Sequence, residues 1–205
     1  MRLRIAHPLI LVLCGLACLS NGCKGAPPPP DRIFAAIESN DATELALLIK
    51  AGVSVDQDSI RLGTPLLWAS GYCDETIVVM LLNAGANPNQ GSKLTYSLGS
   101  IEYPLNMAAA SGRPSIVQKL IDAGAKVDRV TRLGQTALHA VAIDRQPRVE
   151  RRVEVVRLLL ENGVPIDAVD NDGETALDCA EVGKPDEVAR VLRQLGKRAA
   201  ELKGN

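Results

Sequence analysis

A short segment that ends in glycine recurs along the chain at nearly constant spacing, and this recurrence constrains the fold more than any other feature. The segment reads LIKAG, LLNAG, LIDAG, LLENG and, less closely, LRQLG. The five glycines are Gly52, Gly85, Gly124, Gly163 and Gly196, so the successive spacings are 33, 39, 39 and 33 residues. A period in this range is typical of a solenoid, in which each unit packs against its neighbours.

A second recurring element precedes each of the last four glycines. It begins at Thr64, Tyr103, Thr136 and Thr175, as TPLLWAS, YPLNMAA, TALHAVA and TALDCAE. Threonine predicts the start of a helix, because its hydroxyl can accept a hydrogen bond from a free amide of the first turn. Segments such as IVVMLL and IVQKLI then predict a second helix, which the glycine ends. Each unit is therefore predicted to contain a helix, a turn, a second helix and an extended polar finger.

These elements resemble ankyrin repeats, which combine a TPLHxA start, a second helix ending in LLxxGA and a 33-residue period. The resemblance implies an all-α solenoid of about five helix-turn-helix units with β-hairpin-like fingers. We expect the protein to be a monomer. A charged tail is expected at 201–205. The repeat domain is expected over 32–200, in units of about 32–56, 57–89, 90–128, 129–167 and 168–200.

The sequence departs from a regular array of such repeats at two kinds of position. His139 alone keeps the histidine that usually links neighbouring units, since Leu67, Asn106 and Asp178 stand at the equivalent positions. Two units also contain six extra residues, because 39 exceeds 33 by six. We place one excess in the finger at 91–102 and the other between two helices at 144–152.

The N-terminal segment predicts export. A basic start, MRLR, precedes the apolar run PLILVLCGLACL at 8–19, which is shorter than the roughly 20 residues of a transmembrane helix. The segment 1–23 resembles a bacterial lipoprotein signal, which implies lipidation at Cys23, with Cys18 as the alternative site. Lys24 then implies the outer membrane, facing the periplasm, and 24–31 forms a proline-rich linker. An ordinary cleaved signal and a soluble periplasmic protein remain the alternative.

The composition gives little support for catalysis. The chain has two histidines, His7 and His139, and it lacks the nucleotide-binding, nucleophile-elbow and zinc-protease motifs. We therefore expect no enzyme activity, cofactor or metal site. Cys73 and Cys179 lie three repeats apart, too far for a disulfide, and are expected to be free thiols, with Cys73 the more exposed. Without Arg2 and Arg4, 21 basic and 24 acidic residues remain, which argues against nucleic-acid binding.

Two surfaces are candidates for binding a protein partner. The resemblance implies a concave groove lined by fingers and first helices, for which we select Tyr72, Tyr96, Tyr103 and Ser111. Trp68 either packs between units two and three or is a partly exposed binding residue. A second surface contains Arg148, Arg151 and Arg152, which would bind an acidic partner because guanidinium groups pair with carboxylates. Their alternative role is to pair with nearby acids in a solvated loop.

The sequence thus indicates a non-catalytic protein-protein interaction module, presented in the bacterial cell envelope and attached to the membrane only through an N-terminal lipid. Two more specific roles remain open. The protein could be an immunity protein that neutralises a secreted toxin, or a protective factor for a periplasmic enzyme.

Overall fold

The computed structural model describes residues 31–59, 62–93, 101–143, 149–182 and 185–203. These residues form the predicted helical solenoid, together with one short pair of strands. In chain order the elements are α1 (Asp31–Glu38), α2 (Ala42–Lys50), α3 (Pro65–Tyr72), α4 (Glu75–Asn83), β1 (Ser92–Lys93), β2 (Ile101–Glu102), α5 (Pro104–Ala110), α6 (Pro114–Asp122), α7 (Ala137–Ile143), α8 (Val149–Glu161), α9 (Ala176–Glu181) and α10 (Glu187–Lys203).

The helices form two layers. The odd-numbered helices α1 to α9 contact one another in sequence and form the inner layer, while α2, α4, α6, α8 and α10 stack in the same way as the outer layer. Leucine, valine, isoleucine and alanine fill the space between the layers, as shown by Leu66, Ala108, Leu138 and Val155, each fully buried. Each unit therefore buries its apolar face against its neighbours, which explains why few aromatic residues are needed.

The predicted caps and turns define the ends of the helices. The hydroxyl oxygen of Thr64 accepts a hydrogen bond from the amide of Leu67 at 3.2 Å, and Thr175 forms a capping box with Asp178. Gly85 has φ +89°, and the amide of Ala86 after it donates to the carbonyl of Leu81 at 3.0 Å. This is the Schellman arrangement. It recurs after Gly52, Gly124 and Gly163, which also have positive φ.

Gly196 behaves differently from the other four aligned glycines. It lies inside α10, which continues to Lys203, and its φ is not positive. The residues after Gly196 read KRAAELK, which are good helix formers and include no turn signal. The fifth unit therefore has a long helix in place of a finger, as expected from the weaker match of its sequence.

The structure accounts for part of each six-residue excess. In the finger, β1 pairs with β2 in an antiparallel register, with Ser92 opposite Glu102, and residues 94–100 lie outside the described part. In the fourth unit, α8 has 13 residues, whereas the equivalent helix α6 has nine. Residues 149–152 therefore belong to the helix and not to a loop between the helices. Residues 144–148 also lie outside the described part.

Polar side chains connect successive fingers. The amide of Asn87 donates to the carboxylate of Asp56 at 2.8 Å. The side chain of Asn89 donates to the carbonyl of Gly124 and accepts from the amide of Lys126, both at 2.8 Å. These bonds fix the second finger against the first and the third, and they give partners to backbone groups that are not paired in a strand.

The two described cysteines are free and both are buried. The expectation that Cys73 is exposed was wrong, since it is 4% exposed and its thiol donates to the carbonyl of Ile37 at 3.2 Å. Burial raises the pKa of Cys73 to about 11. Neither thiol is therefore predisposed to react. Within the described residues, no helix combines the length and the apolar character that crossing a membrane requires.

Candidate functional site

Two aromatic rings form a pair on α3, at the inner layer. Trp68 and Tyr72 are four residues apart and so lie on the same side of the helix. Their ring centroids are 4.4 Å apart, with an angle of 38° between the planes. Trp68 is half-buried against the core, whereas Tyr72 is 59% exposed. Trp68 therefore combines the two roles considered for it, since it packs inside and also supports an exposed ring.

The neighbouring helix α5 continues this surface. A Cβ added at Gly71 would lie 3.1 Å from the Cε of Met107 and 3.5 Å from the hydroxyl oxygen of Ser111. Two residues selected from the sequence thus lie near this close approach, with Tyr72 at the end of α3 and Ser111 just after α5. We refer to Trp68, Tyr72, Met107 and Ser111 as the aromatic patch.

Tyr103 has a role that the sequence did not reveal. It precedes α5, and the guanidinium carbon of Arg129, in the next finger, lies 5.2 Å from the centroid of its ring. Arg129 also donates a hydrogen bond to the phenolic oxygen of Tyr103 at 3.4 Å. A cation above an aromatic face is attracted to it, so this pair holds two units together. Tyr96, the remaining selected tyrosine, lies outside the described residues.

The structure contradicts the assignment of Arg152 to a docking surface. Its side chain is 1% exposed. Nε and Nη2 donate to the carbonyl of Val141 at 3.1 and 2.9 Å, and Nη1 donates to the carboxylate of Asp186 at 2.6 Å. The last carbonyls of a helix have no partner within it, and Arg152 supplies one to α7. Arg151 is exposed, and Arg148 lies outside the described residues.

Arg113, in the third unit, also binds carbonyl groups at the end of an inner helix, but that helix belongs to the preceding unit. It stands 39 residues before Arg152, at the equivalent position of its repeat. It donates to the carbonyls of Ala69, Ser70 and Cys73 at the end of α3. The coincidence of two arginines at one repeat position was the sequence signal for this role.

His139 links the fourth and fifth units, as the resemblance implied. It is fully buried. Nδ1 lies 3.2 Å from the amide nitrogen of Thr136 and accepts its hydrogen, and Nε2 lies 3.0 Å from the carbonyl oxygen of Glu174 and donates to it. Both ring nitrogens are therefore engaged in the structure. In the third unit, Asn106 makes a similar bond to the carbonyl of Gln135 at 3.4 Å, so the loss of histidine there is partly compensated.

A groove with a volume of about 440 Å³ lies beside α7, α9 and the turn that precedes α9. We call it the acidic groove, and its lining residues are Gln135, Ile143, Asp170, Asp172, Glu174, Cys179 and Val182. Burial favours the neutral form of Asp170, but the backbone amides of Glu174 and Asp172 donate to it and hold its pKa below the usual value. Asp170 is therefore ionised at neutral pH.

Three potential metal ligands meet in this groove. One donor atom each from Asp170, Glu174 and Cys179 lie within 4.8 Å of one another. However, one carboxylate oxygen of Asp170 already accepts from the amides of Asp172 and Glu174 at 2.9 and 3.0 Å. Burial, and then the nearby carboxylates, raise the pKa of Cys179, so its thiol is protonated and is a poor ligand. These three residues therefore stabilise a turn, and they are poorly suited to bind a metal ion.

A second cavity, of about 450 Å³, lies between the outer helices α8 and α10. It is largely apolar. Its lining residues are Arg157, Leu160, Glu161, Val164, Ile166, Leu195 and Arg198.

Comparison with known proteins identifies related sequences. A family model described as ankyrin repeats (3 copies) matches residues 105–201, and one described as ankyrin repeat matches residues 63–93. Together they cover more than half of the 205 residues. Human ankyrin repeat and SOCS box protein 11 is 30% identical over 110 residues, which is 54% of this chain and 32% of that protein.

Two further relatives match shorter fractions of their own length. Glycerophosphocholine phosphodiesterase gde1 of Schizosaccharomyces pombe is 32% identical over 120 residues, which is 58% of this chain and 10% of that protein. Human neurogenic locus notch homolog protein 4 is 40% identical over 65 residues, which is 31% of this chain and 3% of that protein. The similarity thus spans no more than about a third of each of these proteins.

Proposed function

Because the chain belongs to the ankyrin repeat family, we propose that it is a non-catalytic module that binds another protein through its inner layer. Ankyrin repeats are protein-interaction modules. The observation that carries the proposal is Tyr72, a large ring that is 59% exposed on an inner helix. Its contact with Trp68 supports the ring from behind, which limits the entropy lost when a partner covers it.

The chemistry of the aromatic patch suits a docking site. Tyrosine and tryptophan are enriched among the residues that contribute most to binding energy. Met107 adds an adaptable apolar side chain, and Ser111 adds a hydroxyl that can exchange hydrogen bonds with a partner. The patch therefore offers apolar area with a polar edge, as interface cores do.

The test compares two equally exposed apolar residues. Leu47 is 59% exposed on the outer helix α2, the same fraction as Tyr72. We expect Tyr72→Ala to weaken capture of the partner from envelope extracts by about tenfold or more, the level of a binding hot spot, whereas Leu47→Ala leaves it unchanged. Quantitative mass spectrometry of the captured proteins measures both. Equal losses in the two variants would exclude the aromatic patch as the docking site.

The charge of the partner is a further part of the proposal. The exposed Arg151, together with Arg148 in the adjoining segment, can pair with carboxylates of an acidic region of the partner. Arg152 is not available, because its guanidinium is occupied by Val141 and Asp186. The arginine surface is therefore smaller than the sequence suggested.

We also propose that the module is presented in the cell envelope and anchored by lipid at Cys23. The support is the sequence of 1–31 alone, with its basic start, short apolar run and proline-rich linker. We expect Cys23→Ala to abolish incorporation of labelled palmitate and to release the protein from membranes, whereas Cys18→Ala does neither. Labelling that persists in Cys23→Ala and disappears in Cys18→Ala would move the anchor to Cys18.

Two roles are compatible with such a module. It could occupy and block a secreted toxin, as an immunity protein does, or it could protect a periplasmic enzyme. Identification of the captured protein separates these roles. A toxin that loses activity on binding supports the first, and an enzyme that keeps activity longer under stress supports the second.

A further inference from the structure

The acidic groove combines exposed apolar walls with negative charge. Ile143, at the end of α7, is 47% exposed, and Val182, just after α9, is 63% exposed. Both line the same cavity of about 440 Å³. Two apolar side chains exposed in one concave place offer contact area to a ligand that also suits the charge of the groove.

The charge of this groove is not compensated within the described residues. Asp172 and Glu174 are exposed, and neither forms an ion pair with a described residue. Asp170 lies behind them and is ionised. No lysine or arginine is among the described residues that line the cavity. A ligand of positive charge would therefore be favoured over one of negative charge.

The geometry favours an organic cation over a metal ion. One carboxylate oxygen of Asp170 and one of Glu174 lie within 4.8 Å of each other, which a planar guanidinium can span with two hydrogen bonds. The aliphatic part of an arginine side chain also needs an apolar surface, which Ile143 and Val182 provide. A metal ion would use neither apolar wall.

We propose that the acidic groove binds an arginine side chain of an extended segment of the partner, with apolar residues on either side of that arginine. The guanidinium lies against Asp170 and Glu174, with Asp172 adding negative charge, and the aliphatic part of the arginine and its apolar neighbours contact Ile143 and Val182. This inference rests on the proposed function, because it specifies the chemistry of a partner that binds the inner layer. It also places a second contact two units away from the aromatic patch.

The test uses three fluorescein-labelled tripeptide amides and the full-length protein. They are Leu-Arg-Val, Leu-citrulline-Val and Leu-Glu-Val, so that only the charge and shape of the central side chain differ. Fluorescence anisotropy measures their binding. We expect the arginine peptide to bind at least about fivefold more tightly than the citrulline peptide, and the glutamate peptide to bind least, because only arginine makes charge-assisted bonds.

A double variant and its control locate the site. Asp172→Asn with Glu174→Gln should lower the affinity for the arginine peptide about tenfold, since two of the three negative charges of the groove are removed and Asp170, which holds the turn, is kept. Glu150→Gln with Glu154→Gln, two exposed carboxylates on α8, should leave it unchanged. Equal affinity for the arginine and citrulline peptides, or equal losses in the two double variants, would overturn the proposal.

An arginine of the protein itself is the alternative occupant of the acidic groove. Arg145 follows Ile143 closely in sequence, so a variant Arg145→Ala is included. Peptide binding that appears only in this variant would assign the groove to an arginine of the protein and would also overturn the proposal. The tripeptide test requires no natural partner, so its failure is distinguishable from a failure of the Tyr72 experiment, which does not involve the groove.

Discussion

The guanidinium of Arg152 has partners on α7 and on the segment before α10, and the side chain is almost completely buried. Its charge is matched by Asp186. Burial favours the neutral form of Asp186, but the hydrogen bond and charge of Arg152 outweigh this and hold its pKa below the usual value. A buried cation that loses or lacks such partners is costly, so this residue is a structural requirement of the fourth and fifth units.

Substitution of Arg152 should therefore reduce stability more than substitution of its exposed neighbour. We expect Arg152→Ala to lower the free energy of unfolding by about 3 kcal/mol, because Asp186 and the carbonyl groups of Val141 and Ala142 lose their donor. Arg151→Ala should change it by less than about 0.5 kcal/mol. Urea unfolding followed by circular dichroism measures both. Similar losses in the two variants would contradict the structural role assigned to Arg152.

The role of a single residue can be predicted from the sequence when its partners lie at known positions of the repeat. His139 could be assigned because its partners lie at fixed positions of the repeat. Arg152 was not assigned, although Arg113 stands at the equivalent repeat position, because its charged partner Asp186 lies 34 residues away in the next unit. Cys73 was misjudged for the same reason, since the carbonyl of Ile37 that covers it belongs to another unit.

At the scale of the element, the same residue type has opposite roles in different helices. Gly85 ends α4 in a left-handed conformation, with φ +89° and open space where a Cβ would lie. Gly196 lies in the interior of α10, where a Cβ would meet only the Cδ1 of Ile166 at 4.0 Å. Both glycines occupy the same position of the repeat in the sequence. The residues that follow each glycine decide whether the helix ends there.

This difference predicts opposite effects of alanine at the two positions. Gly85→Ala should destabilise the protein by about 1–2 kcal/mol, because alanine is strained in the left-handed conformation. Gly196→Ala should stabilise it by about 0.5–1 kcal/mol, because alanine is the better helix former. Thermal unfolding of both variants decides the question. A stabilising Gly85→Ala would show that the left-handed turn is not required.

The whole molecule is a linear stack in which each helix contacts those of neighbouring units. The resemblance was sufficient to predict this architecture, because it follows from periodic local patterns. The sequence selected Tyr72 and Ser111 for the concave surface, but the close approach of α3 and α5 at Gly71 and the acidic groove could not be predicted in the same way. Each surface depends on residues from two units, such as Tyr72 with Ser111, and on the geometry between them.

In a linear stack, the loss of stability caused by one substitution is expected to be largest in the neighbouring units. We expect Arg152→Ala to reduce protection of amide hydrogens in α7, α8 and α10 more than in α1 and α2, which lie at the other end of the stack. Hydrogen exchange followed by mass spectrometry measures this for each helix. A uniform loss of protection along the chain would indicate that the stack unfolds as one cooperative unit.

The chain contains a single tryptophan, and it is Trp68 of the aromatic patch. Its indole is half-buried and contacts the ring of Tyr72, so its emission is sensitive to whatever covers that ring. The protein thus carries its own optical probe at one of its two proposed contacts. A partner that docks on α3 will change the colour or intensity of this emission, whereas a peptide confined to the groove beside α9 will leave it unaltered.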